Sequence, residues 1–444
     1  MQRILILGAG RSSAHLIRYL LDKSIDKEWI VRIGDLVLAN AVQKGNNHPN
    51  ASAFAINADD DNQCGEEINQ SDLVISMLPA SMHIDVAKDC IKHKKPLITP
   101  SYVAPEMWEL DSAAKANGVL ILNEMGVDPG IDHMSAMQII HRLQRLGARL
   151  ESFESFTGGL IAPESDNNPW NYKITWNPRN VVLAGYGGTA RFQQNGHLKF
   201  IPYHRLFERI TPVKIEGHGG FDGYANRDSL KYKEIYNLPD IPTLYRGTLR
   251  KEGFCAAWNA LVQLGLTDDS FEIENPGKMN WRELTASFID SAEGGNLESR
   301  VQSYLKADDV VMTKLKWLGI FENNTVGIEK GSPAVALQTL IEKKWALEPG
   351  DKDLIVMWHR FYYEHDGKKH QLESYLVTPG EDPVYTAMSK TVGLPMAIAA
   401  RLILDGTFRM TGVQLPVTPE IYDPIMHELH QFGISFVEKE QPAL

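Results

Sequence analysis

Residues Arg3–Leu7 read RILIL, a short run of branched apolar residues, and GAGRSS follows at once over Gly8–Ser13. AHLIRYLLD then sets Leu16, Ile17, Leu20 and Leu21 on one stripe of a helix. Strand, glycine turn and helix in direct succession are the context a dinucleotide-binding fingerprint requires. Gly8 permits the tight turn, and Gly10 lets a pyrophosphate approach the backbone. The amides of Arg11, Ser12 and Ser13 open the helix toward the phosphates. The third small position is Ser13, where close helix–strand packing ordinarily takes glycine or alanine. Taken alone, the motif also fits a glycine turn that holds no ligand.

The next hundred residues narrow the choice. Trp29–Ile33 reads as a second strand ending at Gly34-Asp35, and short strands follow at 53–56, 72–77, 96–99 and 119–123, that at 72–77 a buried one. Helical stretches separate them, notably HIDVAKDCIKH from His83 and Pro105–Asn117. This alternation predicts a parallel, doubly wound sheet that binds ligands beyond the carboxyl ends of its strands. Leu78-Pro79 and the links beginning at Thr99 and Glu124 are expected to line the cofactor cleft. Asp35 is placed to accept hydrogen bonds from the adenosine ribose and to repel a 2′-phosphate, which favours NAD. A cation such as Arg32 or Lys44 would offset it and admit NADP. The acids Asp59–Asp61 read as a solvated turn, and no metal site is expected.

The alternation stops after NEMGVDPGIDHM, Asn123–Met134. Pro129 is placed in the first turn of a helix, with Asp128 as its cap, and His133 as a packed or surface residue. Leu150–Thr157 alternates polar and apolar residues as a strand does, and Gly158-Gly159 then allow a turn or a close approach to a ligand. NNPWNYKITWNPRN is read as a long loop of a binding surface. Strands are predicted at 212–217, 354–364 and 370–378, the last two joined by the hairpin signal HDGKK. EGFCAAWNALVQLG and AVALQTLIEKKWAL are helical. Thr386–Gly406 is a strongly apolar helix, interrupted by Lys390 and Arg401, that is expected to pack on the nucleotide domain.

The predicted fold class is therefore α/β: a Rossmann doubly wound sheet, a mixed-sheet α/β catalytic domain and an inserted helical subdomain. The expected boundaries are 1–124 for the dinucleotide domain, 125–245 with 346–388 for the catalytic and dimerisation domain, 246–345 for the helical substrate subdomain, and 389–444 for helices returning to the first domain. A net charge of −11 without a basic aromatic stripe argues against a nucleic-acid surface. Three widely spaced cysteines, Cys64, Cys90 and Cys255, make no disulfide framework or CxxC pair. No cationic, apolar leader opens the chain, so a cytoplasmic protein without a membrane span is expected.

Two arginine-bearing stretches suit a substrate with several carboxylates: YANRDS with Asn226 and Arg227, and LYRGTLR with Arg246 and Thr248. Both are read as turns, and surface arginines paired with acids would look the same. Oxidising a carbon that bears an amine calls for a neutral amine and a base to activate water. Asp128 and Tyr102 are candidates for that work, and Thr157 for holding substrate or water. HExxH and GxSxG motifs are absent from the sequence.

The motifs SMLP at Ser76, PSYVAPEM at Pro100, NEMGVDPGIDHM at Asn123, TGGLIAPESDNNPWNYKITW at Thr157, NRDS at Asn226, YRGTLR at Tyr245, TVGLPMAIAARLILDGT at Thr391 and DPIMHEL at Asp423 run in order along almost the whole chain. On these the chain resembles the L-glutamate-forming saccharopine dehydrogenase family, also called saccharopine reductases. The resemblance implies homodimers and a nicotinamide-dependent interconversion of saccharopine with L-glutamate and 2-aminoadipate 6-semialdehyde. It implies that Ser101, Tyr102 and Asp128 surround the reacting centre. Arg227 and Arg246 would clamp substrate carboxylates beside Asn226 and Thr248, with Gly8, Gly10 and Pro79 on the cofactor side. Thr157 stands where fungal relatives carry a cysteine. Related dehydrogenases of lysine or carboxynorspermidine, or a non-catalytic nucleotide-binding redox sensor, are the alternatives.

Overall fold

A computed structural model describes residues 1–290 and 295–443, in two compact units: Met1–Arg149 with Leu376–Val437, and Leu150–Tyr375 with Glu438–Leu444. The first unit opens with β1 (Gln2–Leu7), α1 (Ala14–Lys27), β2 (Trp29–Asp35), α2 (Leu38–Gly45), β3 (Ala51–Ala55), α3 (Asp61–Asn69), β4 (Leu73–Ser76) and α4 (His83–His93). It continues through β5 (Leu97–Ile98), α5 (Pro105–Glu109), α6 (Asp111–Ala116), β6 (Leu120–Leu122) and α7 (Ile131–Arg145). The predicted helix 105–117 is thus two short ones that meet at Leu110.

The second unit holds β7 (Arg149–Ile161), α8 (Pro178–Val182), β8 (Ala190–Gln194), β9 (His197–Ile201), β10 (Thr211–Ile215), β11 (Gly219–Ala225), α9 (Tyr232–Ile235) and β12 (Thr243–Lys251). Helices α10 (Phe254–Gln263), α11 (Trp281–Ser287), α12 (Leu297–Leu305), α13 (Asp309–Leu318) and α14 (Pro333–Lys344) precede the hairpin of β13 (Asp353–His365) and β14 (Lys368–Pro379). The chain then supplies α15 (Ala387–Leu404), β15 (Gly412–Gln414) and α16 (Pro419–Gln431) to the first unit, and ends in β16 (Val437–Pro442).

The first sheet is parallel, in the order β3-β2-β1-β4-β5-β6-β15. The first six strands have the doubly wound order of a dinucleotide-binding domain. Ile4–Leu7 are fully buried at its centre, as a strand covered on both faces must be. β15 escaped the sequence reading because a three-residue strand carries no period. Residues 125–149, assigned from the sequence to the second domain, belong to the first unit. There α7 is tied to α16 by a 2.7 Å hydrogen bond between His141 Nδ1 and the Tyr422 hydroxyl. The later return to this unit begins at Leu376, ahead of the expected 389.

α15 passes for a membrane span by length and composition, but 72% of its residues are buried inside the protein. Its apolar surface is the unit's core. Gly393 lets it touch α1, since a Cβ there would stand 2.7 Å from the Leu16 amide nitrogen.

The second sheet is mixed, in the order β10-β11-β12-β7-β13-β14-β16, with β8 and β9 attached beside β12. β12 pairs parallel with β7 and antiparallel with β11. The β13–β14 hairpin turns at Asp366 and Gly367, both at positive φ, as its Asp-Gly signal requires. Gly158-Gly159 make no turn. They lie within β7, where a Cβ on Gly158 would fall 2.5 Å from the Leu249 carbonyl oxygen. Gly223 and Gly247 likewise leave room for the Phe156 ring. The predicted surface loop 167–180 is anchored in the core: Trp170 and Tyr172 are buried among Phe254, Trp258 and Trp345. The expected helical segment starts late, because 246–251 belong to β12.

Replacing Gly393 by valine should therefore push α15 off α1 and destabilise the first unit by about 1–3 kcal/mol. Calorimetry would show a lowered first transition, and an unchanged transition would contradict this packing.

Candidate functional site

The glycine turn is built by two separate constraints. Gly8 has φ +100°, and a Cβ on it would meet the Met77 carbonyl oxygen at 3.0 Å, so both conformation and space demand glycine. Around Gly10 nothing lies within 4 Å of where a Cβ would stand. That open space, before the short helical turn Arg11–Ser13, fits the approach of a pyrophosphate to backbone amides. Ser13 is fully buried, and its hydroxyl donates to Gly10 O at 2.8 Å. Serine therefore serves as the third small residue by satisfying its own polar atom.

Asp35 lies at the end of β2. Its carboxylate accepts from the Ala9 amide at 2.7 Å, the Val37 amide at 2.9 Å and Asn40 Nδ2 at 3.1 Å. Two carboxylate oxygens offer about four lone-pair sites, so acceptor capacity remains for ribose hydroxyls. Of the two cations that would offset Asp35, Arg32 is held by both oxygens of Glu67 and stacks over the Phe54 ring. Lys44 is half-buried at the end of α2, where burial pulls its pKa down. Leu78 and Pro79 follow β4, whose extension is tied to β1 by the Met77 amide donating to Leu7 O at 2.8 Å. Pro79 is exposed.

The links after β5 and β6 are joined by one buried carboxylate. Glu124, in left-handed backbone at φ 58°, accepts from the Val103 amide at 2.9 Å, and its own amide donates to Ser101 O at 3.2 Å. Its second oxygen lies 2.6 Å from His133 Nε2, and Asp132 is 3.6 Å from the other ring nitrogen. His133 is therefore a packed residue. Asp128 does not cap α7. Gly130 does, and its amide donates to Asp132 Oδ1 at 2.6 Å. The cause is the contact of Gly126 with Gly130, at which a Cβ would stand 2.0 Å from Gly126 O, so the chain doubles back before the helix begins. Asp128 instead accepts from the hydroxyl of the partly exposed Tyr102 at 2.7 Å. Ser101 Oγ lies 2.8 Å from Nε2 of His83, whose Nδ1 is 2.9 Å from Ser76 Oγ. Burial holds His83 at a pKa of about 4, so its ring is neutral at neutral pH.

In the second unit Arg246 and Thr248 lie on β12, not at turns, because TLYRGTLRK is a central strand covered on both faces. Arg246 is 2% exposed, with its guanidinium 4.0 Å from the Tyr232 ring centroid. Its carbonyl accepts from the Asn226 amide at 3.0 Å. Thr248 donates to Asn226 Oδ1 at 2.8 Å and stands in register with Thr157 on β7. Asn226, Arg246, Thr248 and Thr157 are thus brought together. Arg227 is exposed and donates to Tyr186 O at 2.9 Å.

The sequence reading missed Arg250, four residues after Arg246 and so on the same face of β12. It is 3% exposed, with Tyr172, Tyr224 and Phe254 around its guanidinium. The even spacing of Arg246, Thr248 and Arg250 was the available signal. Glu124 and His83 were missed as well, since nothing local in sequence marks their partners. Among the described residues, Thr157 Oγ1, Tyr172 OH and Arg250 Nε are buried without a hydrogen-bond partner. Buried polar atoms are rarely left so unless a ligand or ordered water completes them.

A doubly wound sheet with a glycine turn and an acid after its second strand, beside a mixed-sheet unit with helices, defines a two-domain protein of the Rossmann type. Residues 4–122 match the saccharopine dehydrogenase NADP binding domain, and 126–434 the saccharopine dehydrogenase C-terminal domain. The chain belongs to the saccharopine dehydrogenase family. It is 35% identical to saccharopine dehydrogenase (NADP(+), L-glutamate-forming) of Schizosaccharomyces pombe over 99% of both chains. It is 34% identical to the mitochondrial alpha-aminoadipic semialdehyde synthase of Bos taurus, over 98% of this chain and 47% of that protein. The apo saccharopine dehydrogenase (L-Glu forming) from Saccharomyces cerevisiae superposes with a TM-score of 0.88 at 32% identity, covering 99% of this chain and 100% of that one.

Replacing Glu124 by alanine should leave His133 and the Val103 amide without their shared acceptor. The first unit should lose about 3–5 kcal/mol, read as a shift in its denaturation midpoint. A shift below about 1 kcal/mol, the scale of one ordinary hydrogen bond, would show that the carboxylate does not organise these links.

Proposed function

We propose that the protein is an L-glutamate-forming saccharopine dehydrogenase: it oxidises the secondary amine of saccharopine to an imine, which water splits into L-glutamate and 2-aminoadipate 6-semialdehyde. The observation that carries the reading is 35% identity over 99% of both chains to a relative named for this activity, with the Tyr102–Asp128 pair on the links beyond β5 and β6, where such sheets bind their ligands. A bound nicotinamide would accept the hydride. The chain's own residues do the rest. Asp128, held by the Tyr102 hydroxyl, serves as the base that takes a proton from the amine and releases it to solvent, then takes a proton from the attacking water and returns it to the departing glutamate nitrogen. Thr157 holds substrate or water, since a threonine hydroxyl does not ionise at neutral pH. Arg246 and Arg227 take substrate carboxylates, with Asn226, Thr248 and Ser101 as hydrogen-bonding partners. A homodimer, read by light scattering, is part of the same proposal.

Incubation with saccharopine and oxidised cofactor should yield reduced cofactor and glutamate in equal amounts. Arg246→Leu should raise the KM for saccharopine by ~100-fold or more, with cofactor affinity unchanged. If lysine or carboxynorspermidine is oxidised and saccharopine is not, a sister activity replaces this reading. Cofactor binding without oxidation of any amine would mark a redox sensor.

For the cofactor we propose NAD, although the names of the fungal relatives specify NADP(+). Asp35 ends β2, where an acid in such sheets bonds the ribose and repels a 2′-phosphate, Arg32 is committed to Glu67, and Lys44 is half-buried. Asp35→Ala should cut the preference for NAD by ~10-fold or more, by loss of the ribose bonds and of the repulsion together. An unchanged NAD/NADP ratio would remove Asp35 from that role.

A further inference from the structure

His83 opens α4 with its ring 3% exposed, between Ser76 at the end of β4 and Ser101 in the link after β5. The ring is neutral and carries a single N–H, and its neighbours decide which nitrogen holds it. The Ser76 hydroxyl is fully buried, and among the described residues His83 Nδ1 is its one hydrogen-bond partner. A buried O–H denied an acceptor loses its hydration without return, so Ser76 donates to Nδ1. The ring proton therefore sits on Nε2 and is donated to Ser101 Oγ. That bond occupies a lone pair of Ser101 and leaves the Ser101 proton to be given elsewhere. Among the described residues no acceptor takes it, and Ser101 is partly exposed.

We propose that His83 is a positioning residue that sets Ser101 as a hydrogen-bond donor to a carboxylate oxygen of the substrate. The chain Ser76→His83→Ser101 has one direction, so Ser101 favours an acceptor oxygen and disfavours an ammonium group at that point. The inference rests on the reading of Ser101 as a substrate-binding residue. A carboxamide oxygen of the nicotinamide has the same acceptor chemistry, and separate Michaelis constants for the two ligands distinguish the sources.

The test is a double-mutant cycle on the full-length enzyme, with saccharopine and cofactor constants measured separately. Ser101→Ala and His83→Leu should each raise the KM for saccharopine by ~10-fold, the scale of a hydrogen bond to a charged group. The pair together should be no worse than Ser101→Ala alone. His83→Gln, which keeps an N–H near the Nε2 position, should restore most of the loss, and cofactor constants should stay within about twofold throughout. Ser76→Ala, which frees the ring to take either tautomer, should shift the KM in the same direction by a few-fold and carries the test if His83→Leu fails to fold. Losses that multiply in the double variant, or a Ser76→Ala enzyme that matches the parent while Ser101→Ala does not, overturn the positioning role and leave the reading of Ser101 intact. A Ser101→Ala enzyme with unchanged saccharopine kinetics overturns both, and a loss confined to the cofactor constant overturns the assignment to the substrate.

Discussion

The fully buried Glu124 carboxylate holds together the links that follow β5 and β6 in the first unit. It accepts from the Val103 amide on one side and pairs with His133 on the other, while its own amide reaches back to Ser101. The link that carries Ser101 and Tyr102 is thereby fixed to the segment that carries Asp128 and opens α7. A glutamate in left-handed backbone is an uncommon choice. Here the unfavourable φ is the means by which one side chain turns inward to serve two links. The contact of Gly126 with Gly130 completes the arrangement by sending Asp128 outward to Tyr102, away from the helix it was expected to cap.

The periodic parts of this fold were readable from the residues. RILIL-GAGRSS, the buried strands of the first unit and the Asp-Gly hairpin each carry their geometry in a handful of neighbouring residues, and each stands where the pattern put it. Two misreadings share one cause. TLYRGTLRK and TGGLI hold arginine, threonine and glycine, which look like turn residues until a sheet covers both faces and a neighbouring backbone occupies the space a Cβ would need. The loop around Trp170 failed for the opposite reason: its asparagines and prolines read as surface, while its aromatic rings are core. Such features depend on partners many residues away, and local pattern is blind to them.

The second unit presents its cations unusually. Arg250 is buried under three aromatic rings, and Tyr224, whose phenol burial pushes above its ordinary pKa, hydrogen-bonds Thr248. Thr248 in turn bonds Asn226. Faces of aromatic rings stabilise a guanidinium without consuming its directional donors. The arrangement therefore keeps positive charge beneath a polar strand face at little cost in hydrogen-bonding groups. A surface of this kind suits a ligand that brings its own negative charge.

Proton transfer sets a further limit on how such a site divides its work. Threonine at 157 supplies a hydroxyl that neither ionises nor, among the described residues, finds a hydrogen-bond partner. It can orient a ligand or a water but cannot carry the charge that leaves an amine. In the proposed reaction the group suited to that step is a carboxylate, and Asp128 accepts from the Tyr102 hydroxyl on links that a buried carboxylate holds in place. In that proposal positioning falls to the neutral groups, Ser101, Thr157 and Thr248, and charge to Asp128 and the arginines.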